Sequence, residues 1–381
     1  MSYSGKVTTY DLTVGEKIDI DELIYMISPV DSPLINGLAA DGKAVLASSG
    51  VTETTFKWMD EEILLPRAAA SVLNANTGTS VTTFTVTAAD SYKFQVGDLV
   101  TIMDEGLAQH NAVLRITAID NTTDTTIGTV TVEGWANHSE QTAIAVGDII
   151  TCLGTALAEG SDPGTSRSID RVMRSNYTQI FGPTPMFMSR TEQQISRYGV
   201  ADEFSKQVFN RSIENVITRE QAYLYGQAVN DTTNKMRSTG GLSYFLSSNV
   251  DSTSTTLTRE KIELQLQACY NNGGVPDLLI ANPASLATLN DTDNTTTVRH
   301  TFDDPRRGRV STMSIFTEFG DVSVTRNRWC NAETAFLVKK EGIQRRVMQP
   351  LVVEALAKTG DSDKVQIVCE EGLQLKGQTH M

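Results

Sequence analysis

The sequence predicts an α+β protein that carries a small antiparallel β-domain as an insertion near its N-terminal end. Residues 75–155 hold short, Thr-rich runs of β-branched residues, which are typical of strands. A long amphipathic helical pattern begins near Arg190, and residues 310–381 return to strand patterns. With 381 residues, the chain is long enough for two or three domains or subdomains.

Composition and charge argue against several classes of function. Hydrophobic residues make up 40% of the chain and charged residues 20%, as in an ordinary folded protein. No run approaches the roughly 18 apolar residues of a membrane helix, and the first residues lack the basic start and apolar run of a secretion signal. The net charge of −14 argues against tight, direct binding of nucleic acid, which usually needs a basic face.

Residues 1–70 are predicted to form an extended arm with little core of their own. A short helix is expected over 18–26, with acidic residues in its first turn, and two prolines follow it. Phe56 and Trp58 then indicate extended structure. We expect such an arm to lie on a neighbouring surface.

The predicted β-domain contains five strand-like runs separated by Asn, Asp and Gly turns. These runs are TFTVT, DLVTIM, VLRITAI, GTVTVEGW and IAVGDIITCL. A Val-Gly-Asp triplet occurs at 96–98 and again at 146–148, where each glycine is expected to supply the backbone angle of a tight turn into a strand. The domain has nine acidic and two basic side chains, a difference of −7, which is half of the net charge of the chain. This balance favours a solvated, outward decoration.

A long helix is predicted from about Arg190 to Val229, with Gly199 as a break near its start. The part beyond Gly199 would be about 28 residues and roughly 40 Å long, which suits a spine. Apolar residues between 204 and 224 are expected to form its buried face. Arg219 and Glu220 are assigned, with other charged residues, to the polar face.

The last part of the chain alternates helix and strand. A helix is predicted over 258–274, with Thr258 as its N-cap and an Asn-Asn-Gly-Gly run at its end. Residues 277–290 indicate a buried strand, a proline turn and another helix, and 291–308 are polar. Closing strands are predicted in VSTMSIFTEF, GDVSVTRN, TAFLVKK, VMQPLVVEALA and DSDKVQIVCEEGLQLK.

This order of elements resembles the major capsid proteins of tailed bacteriophages, whose fold is named after the phage Hong Kong 97. The local resemblance is strongest in TREKIELQLQACYNNGGVPDLLIANP, TEFGDVSVTRNRW and LVVEALAKTGDSDKVQIVCEEGLQLK. It covers roughly residues 1–70 and 165–381. The insertion at 75–155 is similar to the extra domains that such proteins carry in their extended loop.

The resemblance implies a division of the chain into five regions. These are an N-terminal arm (1–50), an extended loop (51–175) carrying the insertion at about 75–155, a peripheral domain with the spine helix (176–232), an axial domain (233–309), and the peripheral-domain strands with the C-terminus (310–381).

The resemblance also implies a function. Many copies would form hexamers and pentamers that close into an icosahedral shell around double-stranded DNA, without sequence-specific binding. Portal, scaffold or decoration proteins are the expected partners, and neither a membrane nor a cofactor is implied. The protein would be made in the host cytoplasm and reside in the virion. A cellular nanocompartment shell of the same fold is the alternative within this structural class.

Catalytic and ligand-binding motifs are weak in this sequence. Residues 37–44 read G-x-x-x-x-G-K-A, but a phosphate-binding loop requires Ser or Thr after the lysine. A nucleotide-binding enzyme is the alternative from a different class, and it depends on this segment. The four histidines and four cysteines show no metal-ligand or nucleophile spacing, so we expect no metal site, no catalytic site and mostly buried thiols. Residues 291–294 begin like a calcium loop but lack its glycine and terminal glutamate.

Five residues are candidates for subunit contacts, namely Trp58, Arg67, Arg306, Arg307 and Arg309. The arginine run at 306–309 has three interpretations: contact with packaged DNA, pairing with an acidic surface of a neighbouring subunit, or a solvated loop. Trp58 has two, a residue of a local core or an anchor in the next subunit. The anchor is favoured because the extended loop has no evident core.

Overall fold

The computed structural model describes most of the chain. The described residues are 32–37, 45–61, 67–69, 83–103, 113–121, 126–135, 148–160, 162, 171–197, 200, 202–252, 256–292, 297–304, 308–358 and 360–378.

Nineteen strands are present among the described residues. They are β1 (Ala47–Gly50), β2 (Thr55–Glu61), β3 (Arg67–Ala69), β4 (Thr83–Thr87), β5 (Asp98–Met103), β6 (Val113–Asp120), β7 (Ile127–Gly134), β8 (Ile149–Thr155), β9 (Arg171–Tyr177), β10 (Gln179–Ser189), β11 (Val229–Asp231), β12 (Met236–Ser238), β13 (Leu278–Ala281), β14 (Thr297–Asp304), β15 (Gly308–Thr317), β16 (Gly320–Arg326), β17 (Ala335–Val338), β18 (Ile343–Leu356) and β19 (Ser362–Leu375).

The same residues contain six α-helices and two short helical turns. The helices are α1 (Ala88–Ser91), α2 (Arg190–Gln194), α3 (Glu203–Tyr225), α4 (Leu242–Phe245), α5 (Arg259–Asn271) and α6 (Pro283–Thr292), and the turns are Pro33–Gly37 and Lys340–Gly342.

The described residues form two compact units. The main unit contains those up to Trp58 and from Met173 onward, and the β-unit contains those from Met59 to Val172. The boundary falls within both β2 and β9, which pair with each other as a two-stranded ladder.

The β-unit is built on one six-stranded sheet in the order β3-β8-β5-β6-β7-β4. Every neighbouring pair is antiparallel. Its core includes Phe84 and Phe94, whose rings meet edge to face with centroids 6.1 Å apart. The predicted antiparallel β-domain is confirmed, and Gly97 has the positive φ (+97°) that the first Val-Gly-Asp turn requires. The second triplet, apart from Asp148, lies outside the described residues.

The main unit contains a four-stranded sheet in the order β1-β18-β19-β10. β1 is parallel to β18, and the other pairs are antiparallel. α3 packs against β10 and β19. In β10, Met186 and Met188 are buried and Phe187 between them is exposed, which is the period-2 alternation of a strand with one covered face.

A five-stranded sheet, β14-β15-β16-β13-β17, forms the other part of the main unit. β13 is buried on both faces, as predicted for a buried strand. Leu278 and Ile280 belong to one core cluster, whereas Leu279 and Ala281 join a second cluster with α5 and α6. The domain boundary predicted between 309 and 310 falls inside β15, within this sheet, and the division into peripheral and axial domains stays a prediction.

The spine helix is shorter than the sequence predicts. α3 has 23 residues, or roughly 35 Å. It is separated from the short α2, which agrees with a break near Gly199, a residue outside the described ones. α3 ends at Tyr225, since the next residue, Gly226, leaves the helical conformation with ψ 150°. Gly226 also lies against another backbone, where a Cβ would come 2.4 Å from the Thr239 carbonyl oxygen.

Other helix ends follow the prediction closely. The Thr258 hydroxyl accepts a hydrogen bond from the Lys261 amide at 3.4 Å at the start of α5, and Gly273 follows its end with φ +86°. The helix expected over 18–26 lies outside the described residues.

The C-terminal end of the predicted arm is part of the subunit's own core. Leu34 is 1% exposed and Leu46 is 5% exposed, and both belong to the largest core cluster of the main unit. β1 adds a parallel strand to the edge of the four-stranded sheet. Residues 32–35 and 45–50 therefore form no core of their own, but their few apolar residues pack into a core built by distant parts of the same chain.

Candidate assembly site

The inner face of α3 carries polar side chains in a buried position. Asn215, Arg219, Glu220, Tyr223 and Leu224 are the buried residues of this helix. The assignment of Arg219 and Glu220 to the polar, solvent-facing side is wrong. Their hydrogen-bonding partners come from segments far away in the sequence, so the local pattern of apolar residues gives no sign of their burial.

Arg219 belongs to a buried ion cluster between α3 and the hairpin of β18 and β19. Its guanidinium lies 2.6 Å from the Glu371 carboxylate, and the two side chains are 5% and 2% exposed. Arg345 approaches the other oxygen of Glu371 at 3.5 Å. Burial alone would lower the pKa of Arg219, but the charge of Glu371 and its hydrogen bond keep that pKa above the ordinary value. The cluster fixes the helix to β19 through a charge pair that water does not screen.

Glu220 is the hub of a second buried cluster. One carboxylate oxygen accepts the Leu34 amide at 2.9 Å and the Asn327 side-chain amide at 2.7 Å, and the other accepts the Ile35 amide at 3.2 Å. Burial raises the pKa of Glu220 to about 7, although all three hydrogen bonds act in the opposite direction. One side chain thereby ties the helix to two segments that are remote in the sequence.

Asn176 is a third buried polar hub, at the end of β9. Its amide nitrogen lies within 3.1 Å of three acceptors, on Thr239, Gly240 and Leu373. Its carbonyl oxygen accepts the Gly240 amide at 2.8 Å. One fully buried side chain therefore provides hydrogen-bonding partners for groups of two other segments, Thr239–Gly240 and Leu373, as buried polar groups require.

Large apolar side chains remain exposed on α3 and on β10, the strand that packs against it. Phe209, Val216 and Tyr223 are spaced seven residues apart on α3 and so lie along one stripe of the helix. Tyr223 is fully buried, Val216 packs partly against the core, and Phe209 is 61% exposed. Phe187 on β10 is 60% exposed, and the Lys364 ammonium lies 5.3 Å from its ring centre. The rings of Phe209 and Phe187 are therefore open to contact with another molecule.

Potential metal ligands are scattered among the described residues, and the thiols are mostly buried. The described residues contain no group of three or more His, Cys, Asp or Glu side chains that could hold a metal ion. Cys269, Cys330 and Cys369 are buried, as predicted, and Cys152 is partly buried. Burial raises the pKa of the Cys369 thiol to about 11, so this thiol is a poor nucleophile. No helix in the described part of the chain is long and apolar enough to cross a membrane.

Of the five candidate contact residues, Trp58 is the one whose side chain the structure describes. Its indole is 6% exposed and lies edge to face with the Phe245 ring, with centroids 5.8 Å apart. This position corresponds to the local-core alternative, and it leaves little of the indole for a second subunit. The favoured alternative overlooked that residues 55–58 pack into the core of the main unit.

The four arginines are described only in part. The backbone of Arg67 pairs with Thr151 in the β-unit sheet, and that of Arg309 pairs with Asp303 in the β14–β15 hairpin. Their side chains, and all of Arg306 and Arg307, lie outside the described residues. Of the segment resembling a phosphate loop, only Gly37 is described, and no histidine side chain is.

Sequence reasoning missed the buried hubs Asn176, Arg219 and Glu220. A weak signal was available for the last two. Arg219 and Glu220 lie next to Tyr223 and Leu224 on the helical wheel, so a charged pair sits on the edge of the apolar stripe. Asn176 precedes an aromatic residue in a strand and has no distinctive local pattern.

Comparison with known proteins decides the family. Residues 5–381 match the family model described as SU10 major capsid protein. The chain belongs to this family. It is a phage shell protein, and its place is the capsid of the virion. No curated protein matches the chain.

The chain is also similar in fold to solved structures at low sequence identity. The structure titled Mycobacterium phage Cain has 8% identity and a TM-score of 0.50, over 97% of this chain and 92% of that one. The capsid of Myoviridae phage XM1 has 10% identity and a TM-score of 0.47, over 99% and 98%. The holo-SrpI encapsulin complex from Synechococcus elongatus PCC 7942 has 10% identity and a TM-score of 0.41, over 56% of this chain and 75% of that one. The predicted Hong Kong 97-type fold is confirmed.

Proposed function

We propose that many copies of this chain assemble through hexamers and pentamers into an icosahedral shell that encloses packaged double-stranded DNA. The observation that carries this proposal is the match to a major capsid protein family over residues 5–381. The main unit supplies a suitable wall element, since buried polar hubs fix α3 to the four-stranded sheet. Closed symmetric shells arise when each subunit offers the same patches to its neighbours.

The stripe formed by Phe209, Val216 and Tyr223 supports a self-assembly surface on α3. Phe209 continues a line of side chains that is buried at Tyr223 and becomes exposed toward the start of the helix. Large exposed apolar side chains are common contacts in protein interfaces. We include Phe209 and Phe187 among the proposed subunit contacts, together with Arg67, Arg306, Arg307 and Arg309. Trp58 is left out because its indole is buried in the core of the main unit.

The remaining partners follow from the same role. Portal, scaffold and decoration proteins would join the shell, and the chain would act as structure and not as an enzyme. DNA would be enclosed without sequence-specific binding, which the net charge of −14 supports. Synthesis in the host cytoplasm belongs to the same proposal.

The test is to produce the full chain alone and to combine light scattering with negative-stain electron microscopy. We expect closed shells, tubes or isolated hexamers and pentamers, far above the 41.5 kDa of one chain. A compact monomer or dimer that does not assemble under crowding would contradict the proposal. The contents of the particles separate the two kinds of shell, because a specific cargo enzyme without DNA would indicate a nanocompartment.

A further inference from the structure

The long strand β18 is open along part of one edge. One of its edges pairs with β19 along the strand, apart from two register shifts near Gln349. On the other edge, β1 covers only Gln344–Val347, and the Val51 amide adds a hydrogen bond to the Val347 carbonyl at 3.0 Å. Beyond this point, over Met348–Leu356, no strand and no backbone hydrogen bond of the described residues lies on that side. The backbone groups that point outward there are therefore available to a further strand.

This open edge is apolar and exposed to solvent. After Pro350 it reads Leu-Val-Val-Glu-Ala-Leu (351–356), and β-branched valines favour strand pairing. Val353 is 48% exposed, and its neighbours Glu354 and Ala355 are exposed as well. Glu354 is the one charged residue between 347 and 357, in a chain of net charge −14. The edge therefore adds little local repulsion between two copies of this acidic chain.

The opposite edge of the same sheet is protected by prolines. β10 is that edge strand, and it contains Pro183 and Pro185. Because proline has no backbone amide, β10 cannot form a regular ladder with a further strand on its outer side. In β18, Pro350 stands at the beginning of the open stretch and leaves 351–356 without proline. This sheet is therefore extended more easily at β18 than at β10.

We propose that the open edge of β18 pairs with the same edge of a second copy, as two antiparallel strands related by a twofold axis. One patch then serves both subunits, as in other twofold contacts. When Val353 lies opposite its counterpart in the second copy, Glu354 lies opposite Val352. This register keeps the two Glu354 carboxylates from directly opposite positions, where like charges destabilise a sheet. The inference rests on the proposed function, since the partner is another copy of this chain.

The experiment is oxidative cross-linking of the full chain carrying Val353→Cys, with copper phenanthroline as the oxidant and non-reducing electrophoresis as the readout. Opposite residues of antiparallel strands have Cα atoms about 4.5–5.5 Å apart, which a disulfide can bridge. We expect a covalent dimer, at twice the 41.5 kDa of one chain. Ile180→Cys is the matched control, because Ile180 is 53% exposed on β10, the edge that carries the prolines. We expect no dimer from this control or from the wild type.

Hydrogen–deuterium exchange of the wild-type chain provides a second measurement that needs no substitution. The peptide covering 351–356 should exchange more slowly in particles than in dissociated subunits. Slower exchange without the Val353→Cys dimer would show that another segment occupies the edge, and it would overturn the pairing of β18 with itself. Unchanged exchange, or equal dimer yields from Val353→Cys and Ile180→Cys, would overturn it as well.

The two proposals fail in different ways. A Val353→Cys dimer from a chain that forms no shells would support the β18 contact and contradict the proposed function. Shells without this dimer would do the reverse. A chain that stays monomeric and gives no dimer on oxidation would contradict both.

Discussion

Individual buried polar residues hold the main unit together beneath α3. Arg219, Glu371 and Arg345 form one ion cluster, and Glu220 and Asn176 are hydrogen-bonding hubs. A charged residue is seldom buried unless it is paired, and its partner is here about 150 residues away. The sequence could not predict this cluster, because helical periodicity classifies Arg and Glu as surface residues.

Removing one member of the ion cluster should destabilise the main unit strongly. Arg219→Met leaves Glu371 buried with only the more distant Arg345, so we expect a loss of about 3–5 kcal/mol in the free energy of unfolding. The double variant Arg219→Met/Glu371→Leu removes both charges and should be closer to the wild type. Urea unfolding followed by circular dichroism measures both.

Arg211→Met is the control for this prediction. Arg211 pairs with Glu214 on the same helix, and both side chains are about half exposed, so we expect a change below about 1 kcal/mol. Equal losses for Arg211→Met and Arg219→Met, or a double variant as unstable as the single one, would show that the buried pair is not the source of the stability.

At the scale of elements, strands with clear alternation were predictable and interrupted ones were not. β4, with Phe84 and Val86 buried, matches the predicted run TFTVT. β10 was missed because Pro183 and Pro185 interrupt its pattern, and its pairing with β19 shifts register between Phe181 and Thr184. β14 was missed because its polar sequence, TVRHTFDD, gives no apolar period.

The β-unit should be separable from the main unit. It has its own sheet and its own core cluster, and the flanking segments meet within the main unit, where the Thr178 amide donates to the Thr54 carbonyl at 2.9 Å. Replacing residues 62–170 by a short Gly-Ser linker should therefore leave a main unit that unfolds cooperatively on heating. The predicted role as a decoration further implies that this variant still assembles.

Two outcomes would correct this account of the β-unit. An aggregated or molten variant would show that the β-unit is needed for the fold of the rest. A well-folded variant that forms no particles would show that the insertion contributes to assembly and is more than a decoration. The complementary fragment 62–170, produced alone, should give a cooperative unfolding transition.

Two truncations should separate the predicted arm from the core. Removing residues 1–31 leaves every described element intact, so we expect a folded subunit that no longer closes into normal shells. Removing residues 1–50 also deletes Leu34 and Leu46 from the core and β1 from the sheet edge. Since each buried leucine contributes about 2–5 kcal/mol, this second variant should not fold.

Circular dichroism and electron microscopy distinguish these expectations. Normal particles from the variant that lacks 1–31 would remove the role of the arm in assembly. A folded variant that lacks 1–50 would contradict the place of Leu34 and Leu46 in the core.

At the scale of the whole molecule, the order of elements was the most informative feature of the sequence. No single motif identifies the chain, but strand-rich insertion, spine helix, helix–strand region and closing hairpin follow one another as in phage capsid proteins. This order predicted the fold and the family, which the match over residues 5–381 shows. Surfaces that contact other subunits leave little trace in one sequence, because their partners are residues of another copy.

The most direct test of the shell account is a cryo-electron microscopy reconstruction of particles formed by the full chain. The account predicts a closed wall made of sixfold and fivefold groups of this subunit, with Phe209 covered by a neighbouring copy. A reconstruction without such groups, or the absence of any ordered assembly, would contradict it.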